Sequence, residues 1–313
     1  GLGSQAMKLH PFSPFFFFIG ALALEVRSQS KPEEGLAVLH APLEARLQAG
    51  KTGYDQHFGA CHGLTGDGNG PATVWLFPKP RNFNSGLFKI QSTPSGSLPT
   101  DDDLYATITR GMPGSSMPSF TYLSETQRRD AVAYIKHLTA FVDASGKRVN
   151  RFEQAKAENQ IGQPIVVPTE PPVTFEALTQ GKALFTKLQC HTCHGETGAG
   201  DGPTAPTLKD NWGFPLTPRD FNSGAFRGGA SGPDLFLRLA TGLAGTPMPP
   251  FGEGVITDQE RWALVHFIQS LRRKDVEIND ILAPTDALIH AQKVASIPAT
   301  PSDPVWERLD PAR

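Results

Sequence analysis

The sequence predicts an all-α fold in two tandem domains, and three observations carry that expectation. Its 31 glycines and 28 prolines concentrate between hydrophobic segments, the composition of helices joined by long, turn-rich loops with little sheet. The chain also repeats itself: "CHGLTGDGNGPA" from Cys61 matches "CHGETGAGDGPT" from Cys193, and "PRNFNSGLFK" from Pro80 matches "PRDFNSGAFR" from Pro218. A third pair is "DLYATITRGMPGSSMPSF" from Asp103 and "DLFLRLATGLAGTPMPPF" from Asp234. Finally, each copy closes with a capped amphipathic segment, "SETQRRDAVAYIKHL" from Ser124 and "TDQERWALVHFIQSL" from Thr257. A length of 313 residues suits two such domains plus connections.

In chain order, residues 1–30 are a leader: the apolar run from Phe15 to Leu24 follows Lys8 and is short for a bilayer span. It reads as an export signal or as a retained segment giving membrane association. Residues 43–142 form the first domain, entered by a helix from Leu43. Its closing helix carries a capping box of Ser124 with Gln127 and a face of Ala131, Ile135 and Leu138. Residues 143–173 are a linker whose "NQIGQPIVVPTEPPV" has prolines and no apolar period, so an extended run is expected. Residues 174–275 repeat the plan, with an entry helix from Phe175, a capping box of Thr257 with Glu260, and Leu264, Ile268 and Leu271 on the inner face. Residues 276–313 are too sparse in apolar side chains for a third core and read as an arm, wrapped on the domains or docking a partner.

Charge excludes one class of partner. With 31 acidic against 29 basic residues the formal charge is −2, so no nucleic-acid partner is expected.

The chemistry sits in the repeats. Cys190, Cys193 and His194 complete a C-x-x-C-H box, where two thiols one turn apart can add to the two vinyl groups of a haem while the next residue ligates its iron. A zinc site would need further ligands near this single pair, and a thioredoxin-like pair a strand–helix setting that is missing. The opposite ligand should come from a later loop. Met248 in "GTPMPPF" and its repeat Met117 in "GSSMPSF" stand in Gly/Pro-rich loops that offer no regular apolar face, which favours a ligand over core filler. Met112 aligns with Leu243 and reads as packing, whereas His57, His137, His191 and His266 lack counterparts and are assigned to surface or core.

The first box departs from the second. "YDQHFGACHG" keeps Cys61 and His62 but has Phe58 where the first cysteine would stand, leaving one thiol, the iron ligand and Met117 as anchors. Arg81 and Arg219 are candidates for haem carboxylates, because a guanidinium can grip a carboxylate with two donors; a surface or turn-stabilising role is the alternative. Trp75, Phe77, Phe83 and Phe88, with Trp212, Phe214, Phe221 and Phe226, are expected to wall the pockets.

On these residues the chain resembles class I c-type cytochromes of the tandem dihaem kind, over about Leu43 to Leu271. The resemblance implies an all-α fold around each haem and two haem c cofactors. The first is attached through Cys61 alone, as in the F-x-x-C-H boxes of euglenozoan mitochondrial cytochromes c and c1, and the second through Cys190 and Cys193. His62, Met117, His194 and Met248 are then the metal ligands. It further implies single-electron transfer between redox protein partners, as a carrier or as a subunit of a respiratory membrane complex rather than an enzyme. Maturation would be outside the cytosol, in a bacterial periplasm or a mitochondrial intermembrane space. The alternative is a dihaem oxidoreductase of the peroxidase or thiosulfate-dehydrogenase type with one exchangeable distal ligand, although no distal acid/base pair stands out in either methionine loop.

Overall fold

The computed structural model describes residues 43–272, so the leader and the C-terminal arm lie outside the described residues. Helices dominate. In the first copy they are α1 (Leu43–His57), the single-turn α2 (Gly59–His62), α3 (Asp101–Arg110) and α4 (Glu125–Leu138). A two-stranded hairpin, β1 (Ala140–Val142) with β2 (Arg148–Asn150), and a short α5 (Arg151–Ala157) follow. The second copy has α6 (Phe175–Lys187), α7 (His191–His194), α8 (Gly232–Thr241) and α9 (Asp258–Ser270).

Each copy is framed by its entry and closing helices, which cross at a glycine. A Cβ on Gly50 would collide with the Asp130 carbonyl of α4, and one on Gly181 with the Ala263 carbonyl of α9. Backbones this close bring the apolar stripes together: Tyr54, Ala131, Ile135 and Leu138 are buried in the first core, and Leu184, Phe185, Leu264 and Ile268 in the second. Both expected capping boxes form, and two more start α3 (Thr100 with Asp103) and α8 (Ser231 with Asp234).

The linker is more structured than its prolines suggest. Its first residues return as β2 to pair with β1 at the end of the first domain, Phe141 opposite Val149, and α5 follows, capped by Asn150. Only the stretch after α5 is irregular, and it is pinned at two points. Ile165 N donates to Ser92 O at 2.8 Å, and the Glu170 carboxylate stands 3.3 Å from buried His266, close but misaligned for a hydrogen bond.

The second copy carries an insertion: residues 203–217 stand where the first copy has only 71–79. The extra chain folds back on itself, with Lys209 bridging Pro215 and Asp210 Oδ1 accepting from the Trp212 and Phe214 amides. Among the described residues, no helix is long and apolar enough to cross a membrane.

Candidate metal centres

Each haem box is a single helical turn wedged between its entry helix and a Gly-rich loop. Tyr54, fully buried on α1, donates its hydroxyl to Gly63 O at 2.8 Å and so ties the entry helix to the residue after His62. The imidazoles are set alike in both copies. His62 stacks on Phe83 (4.6 Å between centroids, 17° between planes) and His194 on Phe221 (4.3 Å, 21°). Their Nδ1 atoms lie 3.0 Å from Arg81 O and 3.2 Å from Arg219 O. A carbonyl can only accept, so Nδ1 carries the proton and the Nε2 lone pair is left for a metal. Burial lowers the pKa of both rings and keeps them neutral, the form that ligates iron.

Each histidine faces a cavity with its methionine on the wall. The first is lined by Cys61, His62, Met117, Phe83, Phe88 and Arg81, and the second by Cys190, Cys193, His194, Met248, Phe221 and Arg219. The structure thus brings together every candidate ligand and attachment residue of each copy. Met112 also lines the first cavity, but its repeat Leu243 has no sulfur, which leaves Met117 as the position with a sulfur in both copies. The three cysteines are in no disulfide, and burial pushes the Cys190 thiol up to about 11.

Phe58 fills the place of the missing cysteine. It is buried, packs 4.5 Å from Phe120 and 5.9 Å from Tyr54, and lines the first cavity. Of the histidines without a counterpart, His137 is exposed and His266 buried, as expected, and His191 is half-buried on α7, whereas half-buried His57 lines the first cavity.

The aromatic walls need correction. Phe83, Phe88, Phe221 and Phe226 do line the cavities, but Trp75, Phe77 and Phe214 are exposed and Trp212 faces elsewhere. The inserted loop carries Trp212 and Phe214 away from the second cavity. In the first copy the segment turns at Thr73–Trp75, putting Leu76 inward and its neighbours out.

Both arginines have a larger role than a turn. Arg81 stacks on the Trp212 indole at 4.5 Å and donates through Nη2 to Ala244 O at 3.2 Å, both in the other copy. Arg219 lies against Gly114 of the first copy, where a Cβ would strike its guanidinium, and donates to its own Ser223 Oγ at 3.1 Å. Lys89 and Ile90 line both cavities, so the centres adjoin across this seam. Arg238 of α8 closes it by donating to Lys89 O (3.3 Å) and Gln91 O. Sequence reasoning missed Lys89, Arg227 and Arg238, although Lys89 and Arg227 end the matched "PRNFNSGLFK" and "PRDFNSGAFR" segments.

The seam tests whether a haem suits these cavities. Arg81 Nη1, Arg227 Nε and Arg238 Nε are buried without a protein partner on residues that line them. Burial lowers the pKa of all three guanidinium groups, and it pushes Lys89 down to about 7 with help from Arg81 and Arg227. Buried cations with spare donors call for carboxylates, and apolar walls call for a flat hydrocarbon body. A haem supplies both, and the residues present fit it.

The model of the family described as cytochrome c matches twice, over residues 47–139 and 178–272. The chain belongs to the cytochrome c family. With two cytochrome c domains it is a dihaem c-type cytochrome that works in electron transfer, and its cofactors are two haem c groups. Among solved structures it is similar to a chain of the Kuenenia stuttgartiensis reducing HAO-like protein complex. The two are 39% identical with a TM-score of 0.65, over 72% of this chain and 96% of that one. No curated protein matches significantly.

Proposed function

We propose that this cytochrome carries single electrons between protein partners through two adjoining haem centres, without turning over a substrate of its own. Cys61 would hold the first haem by one thioether, with His62 and Met117 as the iron's ligands. Its F-x-x-C-H box makes it a counterpart of the single-cysteine boxes of euglenozoan cytochromes. Cys190 and Cys193 would hold the second, with His194 and Met248 as its ligands. When bound, each haem supplies a one-electron ferric/ferrous couple. The chain's own residues present a neutral imidazole through Nε2, close the opposite face with a thioether, and exclude water with Phe83, Phe88, Phe221 and Phe226. With a histidine and a methionine offered to each iron, both would be spent on ligation, which opposes a substrate-binding enzyme. The observation that carries this reading is that a histidine and a methionine line each cavity, repeated in both copies despite the loss of one cysteine.

The similar chain belongs to a protein complex, which supports a redox protein partner for this chain as well. Covalent haem attachment supports maturation outside the cytosol.

Intact mass of the acid-denatured protein tests the assignment. Two haems should stay on the polypeptide, and Cys61→Ala should release one. A pyridine haemochrome spectrum should show one haem with a retained vinyl group, absorbing at longer wavelength than the other. One haem per chain with a free Cys61 thiol would disprove the two-centre reading, and stoichiometric carbon monoxide binding by the unmodified protein would move the function to the enzyme class.

A further inference from the structure

We infer that Arg81 is a positioning residue acting across the two domains: it fixes the turn that carries Met248, so the distal ligation of the second centre depends on the first domain. The inference rests on the two-centre reading above and adds a dependence of one centre on the other.

The Met248 loop closes on itself through few bonds. Leu243 N donates to Met248 O (3.1 Å), Thr246 N and Oγ1 to Leu243 O (3.1 and 2.7 Å), and Met248 N weakly to Thr246 Oγ1 (3.3 Å). Its outer turn, Ala244–Gly245, offers two carbonyls that other segments satisfy. Asn211 N, from the inserted loop, donates to Gly245 O at 3.2 Å, and Arg81 Nη2, from the first domain, donates to Ala244 O at 3.2 Å. Gly245 is buried between these supports. A Cβ there would come within 2.6 Å of Arg81 Nη1 and 3.0 Å of the Trp212 ring. With the guanidinium stacked on Trp212 at 4.5 Å, the inserted loop, the arginine and the Met248 turn form one packed layer.

The other end of Arg81 reaches the first centre. Its carbonyl takes the His62 Nδ1 proton at 3.0 Å, and its side chain lines the first cavity with Nη1 lacking a protein partner. A single residue therefore orients the first iron's histidine through its carbonyl and supports the second iron's methionine through its guanidinium. Arg219 also packs against Gly114 in the first copy's methionine loop, but of the two arginines Arg81 alone makes a hydrogen bond to a turn carbonyl of the other copy among the described residues. Arg219, the repeat of Arg81, spends its donors on Ser223 Oγ and, at 3.4 Å, on Asp220 O, and the first copy has no inserted loop to stack it on. Gly114, the repeat of Gly245, is exposed. The second centre is thus the dependent one.

The test uses the full-length protein with both haems confirmed by mass. In Arg81→Gln, hydrogen exchange at the Leu243 and Thr246 amides should quicken about tenfold, the effect of losing roughly one hydrogen bond. The second haem should also lose intensity in its sulfur-to-ferric-iron band and begin to bind carbon monoxide in the ferrous form. Arg81→Lys keeps the charge but neither stacks nor forks, so it should resemble Arg81→Gln. Trp212→Leu, which leaves the first domain's sequence intact, should loosen the same loop and the same iron. Unchanged exchange and unchanged ligand binding at the second haem in Arg81→Gln and Trp212→Leu would overturn the inference. If the unmodified second iron shows no sulfur ligation, the two-centre reading fails instead, and exchange at the loop still decides whether Arg81 holds it.

Discussion

Lys89 is the residue through which both centres feel the same charge. It lines both cavities, and burial together with Arg81 and Arg227 pushes its pKa down to about 7, with Asp210 opposing. A cation beside an iron disfavours the ferric state, so Lys89→Met should lower both potentials. At an effective dielectric near 20 and a separation of order 10 Å, the change is about 1–2 kcal/mol per haem. That corresponds to roughly 40–90 mV for one electron. The pH sign follows from the depressed pKa: Lys89 loses its charge as pH rises through it, so both potentials should fall with rising pH. Haem carboxylates raise that pKa and move the fall to higher pH. Spectroelectrochemical titration across pH checks this, and Lys89→Met should flatten the dependence at both haems; a shift confined to one haem would refute the shared role. Part of this was legible beforehand, because Lys89 and Arg227 are matched cations at the end of a repeat. What no linear pattern shows is that one of them crosses to the other copy's cavity.

At the scale of elements, the helix frame was the most readable feature. Capping boxes and inner-face periodicity located α4 and α9, because both signals depend on residues within one or two turns. Gly50 and Gly181 were not readable as crossing points, since the constraint comes from a carbonyl on a distant helix. Both sit on helices, where alanine would ordinarily be favoured by up to about 1 kcal/mol. Here the added methyl has to separate the helices, so Gly50→Ala and Gly181→Ala should each destabilise, by roughly 1–3 kcal/mol. Thermal unfolding of the holoprotein measures this directly, and a rise in midpoint would show that the crossings relax at no cost. The exposed positions of Trp75 and Phe77 were misread for a similar reason. Aromatic content marks burial only on average, and the direction in which a short loop turns its residues is set by tertiary contacts.

Over the whole molecule, the two copies form a joined pair rather than beads on a linker. Arg81 reaches Ala244, Ile165 of the linker is held by Ser92, and Arg238 of α8 donates to the Lys89 and Gln91 carbonyls. The repeat predicted the pairing of copies but not their joining, because the crossing residues differ between them: Arg238 aligns with Thr107. Arg238 is the strongest single tie, a half-buried cation with two carbonyl acceptors on the other copy. Charged hydrogen bonds contribute about 1.5–3 kcal/mol each, offset by the cost of burying the guanidinium. Arg238→Met keeps the apolar stem and removes both bonds, so the net loss at the seam should be about 1–3 kcal/mol. In the unmodified protein, unfolding followed at the α-bands of the two haems should give coincident transitions, since neither copy can open without breaking the seam. In Arg238→Met the transitions should separate, and the second haem should respond first because its Met248 turn depends on the first copy through Arg81. Coincident transitions in the variant would place the coupling of the two copies in the linker contacts instead.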